Sequence, residues 1–232
     1  MEKILIVVTN NSRLGKNGKK TGLWLSELTD FYHEVKDRYA VDIVSTAPSR
    51  VPIDPRSLLA VFTHKQTRQY YMDDDLMVQL KKPLVPEQVN AEDYAAIYFT
   101  GGHGTMMDFP DNAELQGLTR DIYEQGGYVS AVCHGQSGLQ NVRLSNGRLL
   151  ISGHVVTGFS DTEEKSLGMF KHIPFSLERV LKERGGLYKK ASVPMGACTV
   201  LSGRLVTGQN PASAKGVATK LMEQLETIPQ VQ

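Results

Sequence analysis

The stretch GGYVSAVCHGQSGL, residues 126–139, decides the fold that we predict for the whole chain. A Gly-Gly turn leads into the small and β-branched residues 128–132, which are typical of a buried strand. Cys133 and His134 follow at once, and then come Gly135 and small polar residues able to start a helix. A strand, a sharp turn with a nucleophile at its apex and a helix together form a nucleophile elbow. The pattern predicts that Cys133 is a nucleophile, because a helix N-terminus favours thiolate over thiol.

The alternative is a structural role for Cys133. A cysteine at the end of an apolar run is usually a buried small hydrophobic residue, and residue type alone favours that role. Two further features favour reactivity: His134 is its direct neighbour, and Gly135 lets the backbone pass closely through a sharp turn. The pattern as a whole therefore favours a nucleophilic thiol.

Composition limits the possible classes of protein. The chain has 232 residues, 41% of them hydrophobic and 22% charged, which suits a single α/β domain over residues 1–232. A formal net charge of +1 predicts neither nucleic acid nor an anionic membrane as a partner. The two cysteines do not make a disulfide scaffold, and free thiols are typical of a reducing compartment. The first apolar run is too short for a signal peptide and no stretch is long enough to span a membrane, so we expect a cytoplasmic protein.

Strand and helix patterns alternate along the chain. Continuous apolar runs typical of buried parallel strands occupy residues 3–9, 41–46, 94–100 and 128–132. Helix-period patterns occupy residues 22–39, 112–126, 174–188 and 213–226. Two further short strands are expected around Ser202 and Gly203. The alternation predicts an α/β fold with a doubly wound, mostly parallel sheet and helices on both faces.

Several segments carry weaker signals. Residues 10–21 contain glycines and basic residues but lack the spacing of a phosphate-binding loop, so a solvated loop is favoured.

The aspartates at 73–75 fit a solvated helix start better than a metal site, because adjacent helical side chains diverge by about 100°. Residues 144–153 contain an Asn-Gly pair that predicts a hairpin. Cys198 lies in the apolar sequence ACTVL and is expected in the core.

A glycine-rich segment follows the third predicted strand. Gly101, Gly102 and Gly104 free the backbone where doubly wound sheets bind ligands, so amides there are candidates for one wall of an oxyanion hole. His103 lies between these glycines and is either catalytic or structural; the sequence leaves both open. Glu27 lies near the start of the first predicted helix, where a lone glutamate is usually a solvent-facing charge.

The elbow sequence AVCHG (131–135) occurs together with TGGHGTMMDFPDN (100–112) and TGQNPASA (207–214). The combination resembles the ThiJ/PfpI superfamily, and more narrowly its heat-shock chaperone and glutathione-independent glyoxalase (glyoxalase III) branch. The likeness covers nearly the whole chain and implies a flavodoxin-like fold and a homodimer. Class I glutamine amidotransferases share the fold and the cysteine elbow, but this chain contains no partner domain that would accept ammonia.

The resemblance also implies roles for individual residues. It makes Cys133 the nucleophile and His134 the neighbouring base. The segment TGFSDTEEKSLG (157–168) matches the part of the family that supplies the acidic third member of the triad. That role falls on Glu164, with Glu163 and Asp161 left as alternatives.

Further roles follow from the same resemblance. The sequence GLWLSELTDFY matches a family helix whose glutamate hydrogen-bonds the nucleophile, and this glutamate falls on Glu27. The amides of Gly102 and His134 fall at the family's oxyanion site, with Gly101 beside them. Gln136 stands where many relatives carry proline, a departure expected to alter the exit of the elbow or the pocket.

The implied activity is that of a cysteine-dependent, glyoxalase III-like lyase (D-lactate dehydratase). Such an enzyme converts methylglyoxal, a small 2-oxoaldehyde, to lactate without glutathione and without a cofactor, and deglycase activity and stress protection would extend the same role. Attack by Cys133 at neutral pH requires a thiol pKa below the usual value of about 8.5. The chain lacks the inserted subdomain of the longest bacterial chaperones and its metal triad, so neither a metal site nor strong chaperone activity is expected.

Two other functions remain open. A stress chaperone or redox sensor would bind exposed apolar segments of unfolded client proteins and use Cys133 as an oxidation sensor. The sequence shows no large exposed apolar stripe that would favour it. A cysteine peptidase would use the same Cys-His pair to cleave amides.

Overall fold

The computed structural model of the chain describes residues 3–15, 18–72 and 74–227. Within these ranges the strands are β1 (Lys3–Val8), β2 (Ala40–Ser45), β3 (Tyr94–Phe99), β4 (Tyr128–Val132), β5 (Val155–Val156), β6 (Leu187–Tyr188), β7 (Thr199–Ser202) and β8 (Leu205–Gly208). The α-helices are α1 (Leu25–Val35), α2 (Lys65–Tyr71), α3 (Asp74–Lys81), α4 (Thr105–Asp108), α5 (Ala113–Glu124), α6 (Asp161–Ser166), α7 (Leu177–Glu183) and α8 (Ala214–Thr227). Short 3₁₀ helices occur at Pro55–Leu58, Pro86–Gln88, Ala91–Asp93, Cys133–Gly138 and Pro211–Ser213.

The main sheet has six strands in the order β2-β1-β3-β4-β8-β7. Neighbouring strands are parallel except β7 and β8, which pair antiparallel at one edge. The strands β5 and β6 form a separate two-stranded parallel sheet. The predicted α/β fold with a mostly parallel sheet is therefore confirmed. Strand order reverses between β1 and β3, and open α/β sheets bind ligands beyond the carboxyl ends of the strands at such a reversal.

Strand β1 lies in the centre of the core. Its side chains from Ile4 to Val8 are fully buried. A strand that is covered on both faces needs apolar residues at every position, which is why β1 shows a continuous apolar run and no alternation.

Aromatic packing fixes the first turn of α1 on the sheet. The rings of Phe31 and Tyr98 stack with their centroids 3.6 Å apart. The Tyr98 hydroxyl donates to the backbone oxygen of Glu27 at 3.0 Å. These contacts hold the start of α1 over β3, so Glu27 is fully buried and the predicted solvent-facing position was wrong.

Two local predictions of secondary structure differ in detail from the structure. Residues 144–153 form no strand pair; the Asn-Gly pair makes a turn, and a single antiparallel bridge joins Arg143 and Leu149. The helix expected after the elbow is the 3₁₀ helix Cys133–Gly138, and all of its residues are buried. It fits closely under β3, since a Cβ at Gly138 would lie 2.7 Å from the Phe99 ring.

The prediction for the three consecutive aspartates falls partly outside the described residues. Helix α3 begins at Asp74, which agrees with the helix start expected at residues 73–75. Asp73 and the side chain of Asp74 are not described. Among the helices within the described ranges, none combines the length and the apolar character needed to cross a membrane.

Candidate active site

Cys133 lies at the apex of the turn between β4 and the following 3₁₀ helix. Its φ of +58° is left-handed, a backbone conformation that costs a non-glycine residue about 1–3 kcal/mol. Gly135 makes the turn possible, because a Cβ at this position would lie 2.4 Å from the Phe99 carbonyl oxygen. Cys133 is only 3% exposed. The turn has the geometry of a nucleophile elbow, with the thiol at the carboxyl end of the sheet.

His134 connects Cys133 to Glu164. Its Nδ1 lies 3.1 Å from Cys133 Sγ, and its Nε2 lies 2.6 Å from Glu164 Oε1. Because an ionised carboxylate only accepts hydrogen bonds, Nε2 carries the proton and Nδ1 turns its lone pair to the sulfur. In this tautomer His134 is oriented to take the thiol proton.

The three acidic candidates for the triad have different surroundings. Ser160 caps α6 and places Asp161, Glu163 and Glu164 in its first turn. Successive side chains of a helix point about 100° apart, and of these three carboxylates only Glu164 has a hydrogen bond to His134 among the described residues. Burial would raise the pKa of Glu164, but His134 and a second histidine hold it well below its usual range.

Glu163 is turned to the wall of the neighbouring pocket instead. Its Oε1 accepts hydrogen bonds from Asn210 Nδ2 at 2.8 Å and from the backbone N–H of Met195 at 3.0 Å. Its Oε2 accepts from the backbone N–H of Ser160 at 2.9 Å. Met195 has a left-handed φ of +63°. Glu163 therefore fixes a strained loop residue in place.

Glu27 and Gly101 form a second buried contact beside the thiol. The Gly101 N–H donates to Glu27 Oε2 at 2.7 Å, and the Glu27 carboxyl group lies within hydrogen-bonding reach of the Cys133 thiol. Burial raises the pKa of Glu27 to about 8. A carboxyl group with this pKa is mostly protonated at neutral pH and can donate a hydrogen bond.

The pKa of Cys133 differs from the expectation of a lowered value. Burial raises the pKa of the thiol well above its usual value, and the negative charge of an ionised Glu27 raises it further. The backbone N–H of His134 opposes this shift. Because Glu27 and Cys133 are both buried and adjacent, the pair disfavours two negative charges. Thiolate formation is therefore coupled to a proton on Glu27 and to the acceptance of the thiol proton by His134.

The three candidate oxyanion residues are not equivalent. The His134 N–H is directed towards Cys133 Sγ. Gly102 follows Gly101 in the chain with a φ of +103°, and a Cβ at Gly102 would lie 2.1 Å from the Gly22 carbonyl oxygen. Gly101 was predicted as a third donor, but its N–H is bonded to Glu27. Gly101 therefore orients Glu27, and the proposed oxyanion donors are Gly102 and His134.

A pocket of about 250 Å³ opens onto the thiol. Its lining is mainly apolar and aromatic, with two cationic side chains. The lining residues are Lys19, Trp24, Arg56, Leu59, Phe62, His103, Cys133, His134, Phe159, Leu167, Met169, Met195 and Pro211. The Phe159 ring lies over the His134 imidazole with centroids 4.5 Å apart. Such a space suits a small substrate whose reacting carbon can reach the sulfur.

His103 and Arg56 extend the triad, and local sequence patterns did not reveal this. His103 Nε2 lies 3.0 Å from Glu164 Oε2, and its Nδ1 lies 3.0 Å from Arg56 Nη2. Arg56 forms an ion pair with the fully buried Asp54, with Nη2 2.6 Å from Oδ2. Asp54 directly precedes Pro55 in the sequence, and nothing in that segment indicates a contact with residue 103.

His103, His134 and Glu164 also have the composition of a metal site. Their potential ligand atoms lie within 4.8 Å of one another. The geometry is that of hydrogen bonds, however, because each carboxylate oxygen faces an imidazole nitrogen that carries its proton. The Arg56 cation on the far side of His103 also opposes a second cation there. These contacts favour proton chemistry for the three residues.

The side-chain amide of Gln136 anchors the elbow to two strands of the sheet. Its Nε2 donates to the carbonyl oxygens of Ala131 at 3.1 Å and Gly208 at 3.0 Å. These bonds connect the ends of β4 and β8. The departure from proline at this position therefore affects how the elbow is anchored, and Gln136 is not among the residues that line the pocket.

Fold and site together define a class: an α/β protein that presents a buried cysteine at a nucleophile elbow, followed in hydrogen-bonded order by a histidine and a glutamate. Residues 37–224 match the DJ-1/PfpI family, and the chain belongs to that family. The predicted resemblance to the ThiJ/PfpI superfamily is therefore confirmed.

Several similar proteins bear the name of one activity. The chain is 35% identical over 236 residues to glutathione-independent glyoxalase HSP31 of Saccharomyces cerevisiae, with 97% of this chain and 98% of that protein covered. It is 31% identical over 235 residues to glyoxalase 3 of Candida albicans, with 97% and 99% covered. Among solved structures, Rapid Encystment Protein 24 KDa of Francisella tularensis matches with a TM-score of 0.92 at 39% identity, covering 97% of this chain and 99% of that one. Glyoxalase III from Candida albicans matches with a TM-score of 0.88 at 29% identity, covering 96% of each chain.

Proposed function

We propose that this protein is a glutathione-independent glyoxalase that converts methylglyoxal to lactate. The observation that carries the proposal is the order Cys133 Sγ, His134, Glu164, with separations of 3.1 Å and 2.6 Å, at the bottom of a small pocket. The names of the similar proteins support the same activity. The reaction needs no external oxidant, because one substrate carbon is oxidised while its neighbour is reduced.

The first step is addition of the thiol to the aldehyde. His134 Nδ1 takes the proton of Cys133, and the sulfur forms a bond to the aldehyde carbon. The electron pair of the C=O double bond moves to the oxygen, which takes up a proton and gives a hemithioacetal. Glu27 is suited to donate this proton, since its pKa of about 8 keeps it protonated at neutral pH. The amides of Gly102 and His134 would stabilise the negative charge that develops on the oxygen.

The second step moves a proton between the two substrate carbons. The Glu27 carboxylate left by the first step removes the proton from the carbon bonded to sulfur, since His134 already carries the thiol proton. The neighbouring carbonyl oxygen takes up a proton to give an enediol, and protonation of the neighbouring carbon with loss of the first hydroxyl proton then forms the thioester. The product is a thioester of lactate on Cys133. Water then cleaves the thioester, which releases lactate and restores the thiol. Over the whole cycle, methylglyoxal and one water become lactate.

The test is lactate formation from methylglyoxal without glutathione. We expect activity in the wild-type protein and its loss in Cys133→Ala and in Glu27→Ala. Cys198→Ala is the matched control, since Cys198 is the other cysteine and lies outside the pocket lining. Full turnover in Cys133→Ala, or no lactate from a folded and reduced wild-type sample, would refute the proposal.

A second candidate function is chaperone-like binding of unfolded proteins. The segment after the first 3₁₀ helix exposes large apolar side chains that the sequence did not indicate: Leu59 is 53% exposed, and Val61 and Met72 are 80% exposed. Leu59 also lines the pocket. Suppression of client aggregation that persists in Cys133→Ala and is lost in Val61→Ser/Met72→Ser would support this function.

A further inference from the structure

We propose that Arg56 and His103 are positioning residues that keep the negative charge of Glu164 available to His134. The proposal deepens the glyoxalase function proposed above, and its kinetic consequence rests on that function. Its basis is a continuous chain of short contacts from Asp54 through Arg56, His103 and Glu164 to His134.

The contact between Arg56 and His103 defines the state of the imidazole. A guanidinium can only donate hydrogen bonds, so His103 Nδ1 accepts from Arg56 Nη2 at 3.0 Å. The single proton of a neutral imidazole then lies on Nε2, which donates to Glu164 Oε2 at 3.0 Å. Glu164 therefore accepts one imidazole N–H on each oxygen and keeps its charge.

The guanidinium is itself held in place. Arg56 Nε lies 3.0 Å from Asp54 Oδ1, and Arg56 Nη2 lies 2.6 Å from Asp54 Oδ2. Asp54 is fully buried and accepts a further hydrogen bond from Thr21 Oγ1 at 3.0 Å. A planar guanidinium bound at two points has a fixed orientation, so the donor to His103 stays in position.

Without Arg56, His103 could accept a second proton. Its ring centroid lies 4.0 Å from that of His134, and both rings share Glu164. A positive His103 would compensate the charge of Glu164 and oppose a proton on His134, which has to accept the proton of Cys133. In the structure, burial together with the nearby His134 and Arg56 lowers the pKa of His103 to about 4, so His103 stays neutral around pH 7.

Other charged groups around His103 belong to several elements. They are Asp54 behind Arg56, Glu164 on α6, His134 and Cys133 at the elbow, Glu27 on α1 behind Gly101, and Lys19 in the pocket lining. Among the residues that the structure describes, Glu164 is the anion bonded directly to His103 and Arg56 is the cation bonded directly to it. Removal of Arg56 therefore leaves His103 bonded to an anion alone.

The experiment follows His103 by NMR and turnover by kinetics over the same pH range. The ring signals of His103 are assigned by their loss in His103→Gln, a variant that keeps an N–H for Glu164 and cannot gain a charge. The test variants are Arg56→Met and, to avoid leaving a buried unpaired carboxylate, Asp54→Asn/Arg56→Met. The control is Arg50→Met, which changes an exposed arginine nearby in the sequence.

We expect His103 to remain neutral between about pH 5.5 and 8 in the wild type, and we expect its pKa to rise in both Arg56 variants, because the Arg56 charge is one of the causes that lower it. In these variants kcat/KM should fall more steeply than in the wild type as the pH is lowered from about 7.5 to 5.5. The triple variant Asp54→Asn/Arg56→Met/His103→Gln should regain the wild-type shape of the pH profile.

Three results would overturn the proposal. The first is titration of His103 near pH 6.5 in the wild type. The second is an unchanged His103 titration in both Arg56 variants. The third is an additional fall in kcat/KM at acidic pH that persists when residue 103 is glutamine. If the wild type forms no lactate, the proposed function fails, but the NMR titration still decides whether Arg56 controls the protonation of His103.

Discussion

The Gly101 N–H donates to Glu27 Oε2 at 2.7 Å, which joins two residues 74 positions apart in the chain. The missing side chain of Gly101 is as important as its amide. A Cβ at this position would lie 2.5 Å from Glu27 Oε2, 2.8 Å from Cys133 Cβ and 3.0 Å from the backbone nitrogen of His134. Three groups of the proposed mechanism thus meet around one glycine.

We predict that Gly101→Ala abolishes most activity. The added methyl group must displace Glu27 or the elbow, and overpacking of this kind costs about 1–3 kcal/mol of stability. Turnover and thermal unfolding would be measured on the same sample. Gly117→Ala is the matched control, because nothing lies within 4 Å of a Cβ there; in the interior of α5 it should stabilise the protein by about 0.5–1 kcal/mol. Normal turnover in Gly101→Ala would contradict the arrangement around this glycine.

Glu27→Gln should make the thiolate easier to form and yet slow turnover. The ionised Glu27 raises the pKa of Cys133, so its removal should lower that pKa. The readout is the pH dependence of alkylation by iodoacetamide in a Cys198→Ala background. Glu34→Gln, on the outer face of the same helix and paired with Lys215, is the control and should leave the profile unchanged. An unchanged profile in Glu27→Gln would show that the carboxyl group does not act on the sulfur.

Glu27 should also make stability depend on pH. Its pKa rises from 4.5 to about 8 on folding. The folded protein therefore holds a proton that the unfolded chain releases, and the resulting stability is fully present below about pH 4.5 and lost as pH rises towards 8. Glu27→Gln lacks this effect, so its free energy of unfolding relative to wild type should rise by up to about 1.4 kcal/mol per pH unit in that window. Denaturant unfolding of both proteins at several pH values tests this, and a constant difference between them would contradict it.

The adjacent residues Glu163 and Glu164 allow a matched comparison. Glu164→Gln should reduce kcat by about 100-fold, because the residue acts through His134. It should also lower stability, because its amide N–H would face one of the two imidazole donors. Glu163→Gln should cost about 1–3 kcal/mol for the same reason, because an amide N–H would face the donors that Glu163 now accepts from, but it should leave kcat largely unchanged. It should also change KM for bulky 2-oxoaldehydes, since Met195 lines the pocket. Equal effects of the two substitutions on kcat would contradict the different roles.

Much of the fold could be predicted because its signals are local. The central strands are apolar at every position, and the elbow places a cysteine, a histidine and a glycine in consecutive positions. The 3₁₀ helix after Cys133 could not be told from an α-helix, because its form depends on the space left under Phe99. Cys198 was expected in the core but is only half-buried, just before β7, since the apolar residues around it belong to a short edge strand.

The site was predictable only where its residues are neighbours in the chain or match a family motif. Glu27 looked like a surface charge, and only the family resemblance indicated a place beside the thiol. Its burial depends on the packing of α1 against β3. The contact between Arg56 and His103 joins residues 47 positions apart through side chains alone. No spacing rule in one sequence reveals such a contact.

The burial of the Cys133 thiol limits the size of the molecules that can reach it. Cys133 shows 3% of its surface at the bottom of a pocket of about 250 Å³. A free small aldehyde fits into this space, whereas the backbone of a folded protein does not. Under the proposed glyoxalase function, this architecture is suited to prevention more than to repair, because it would admit a reactive aldehyde that still diffuses freely and exclude one already attached to a macromolecule.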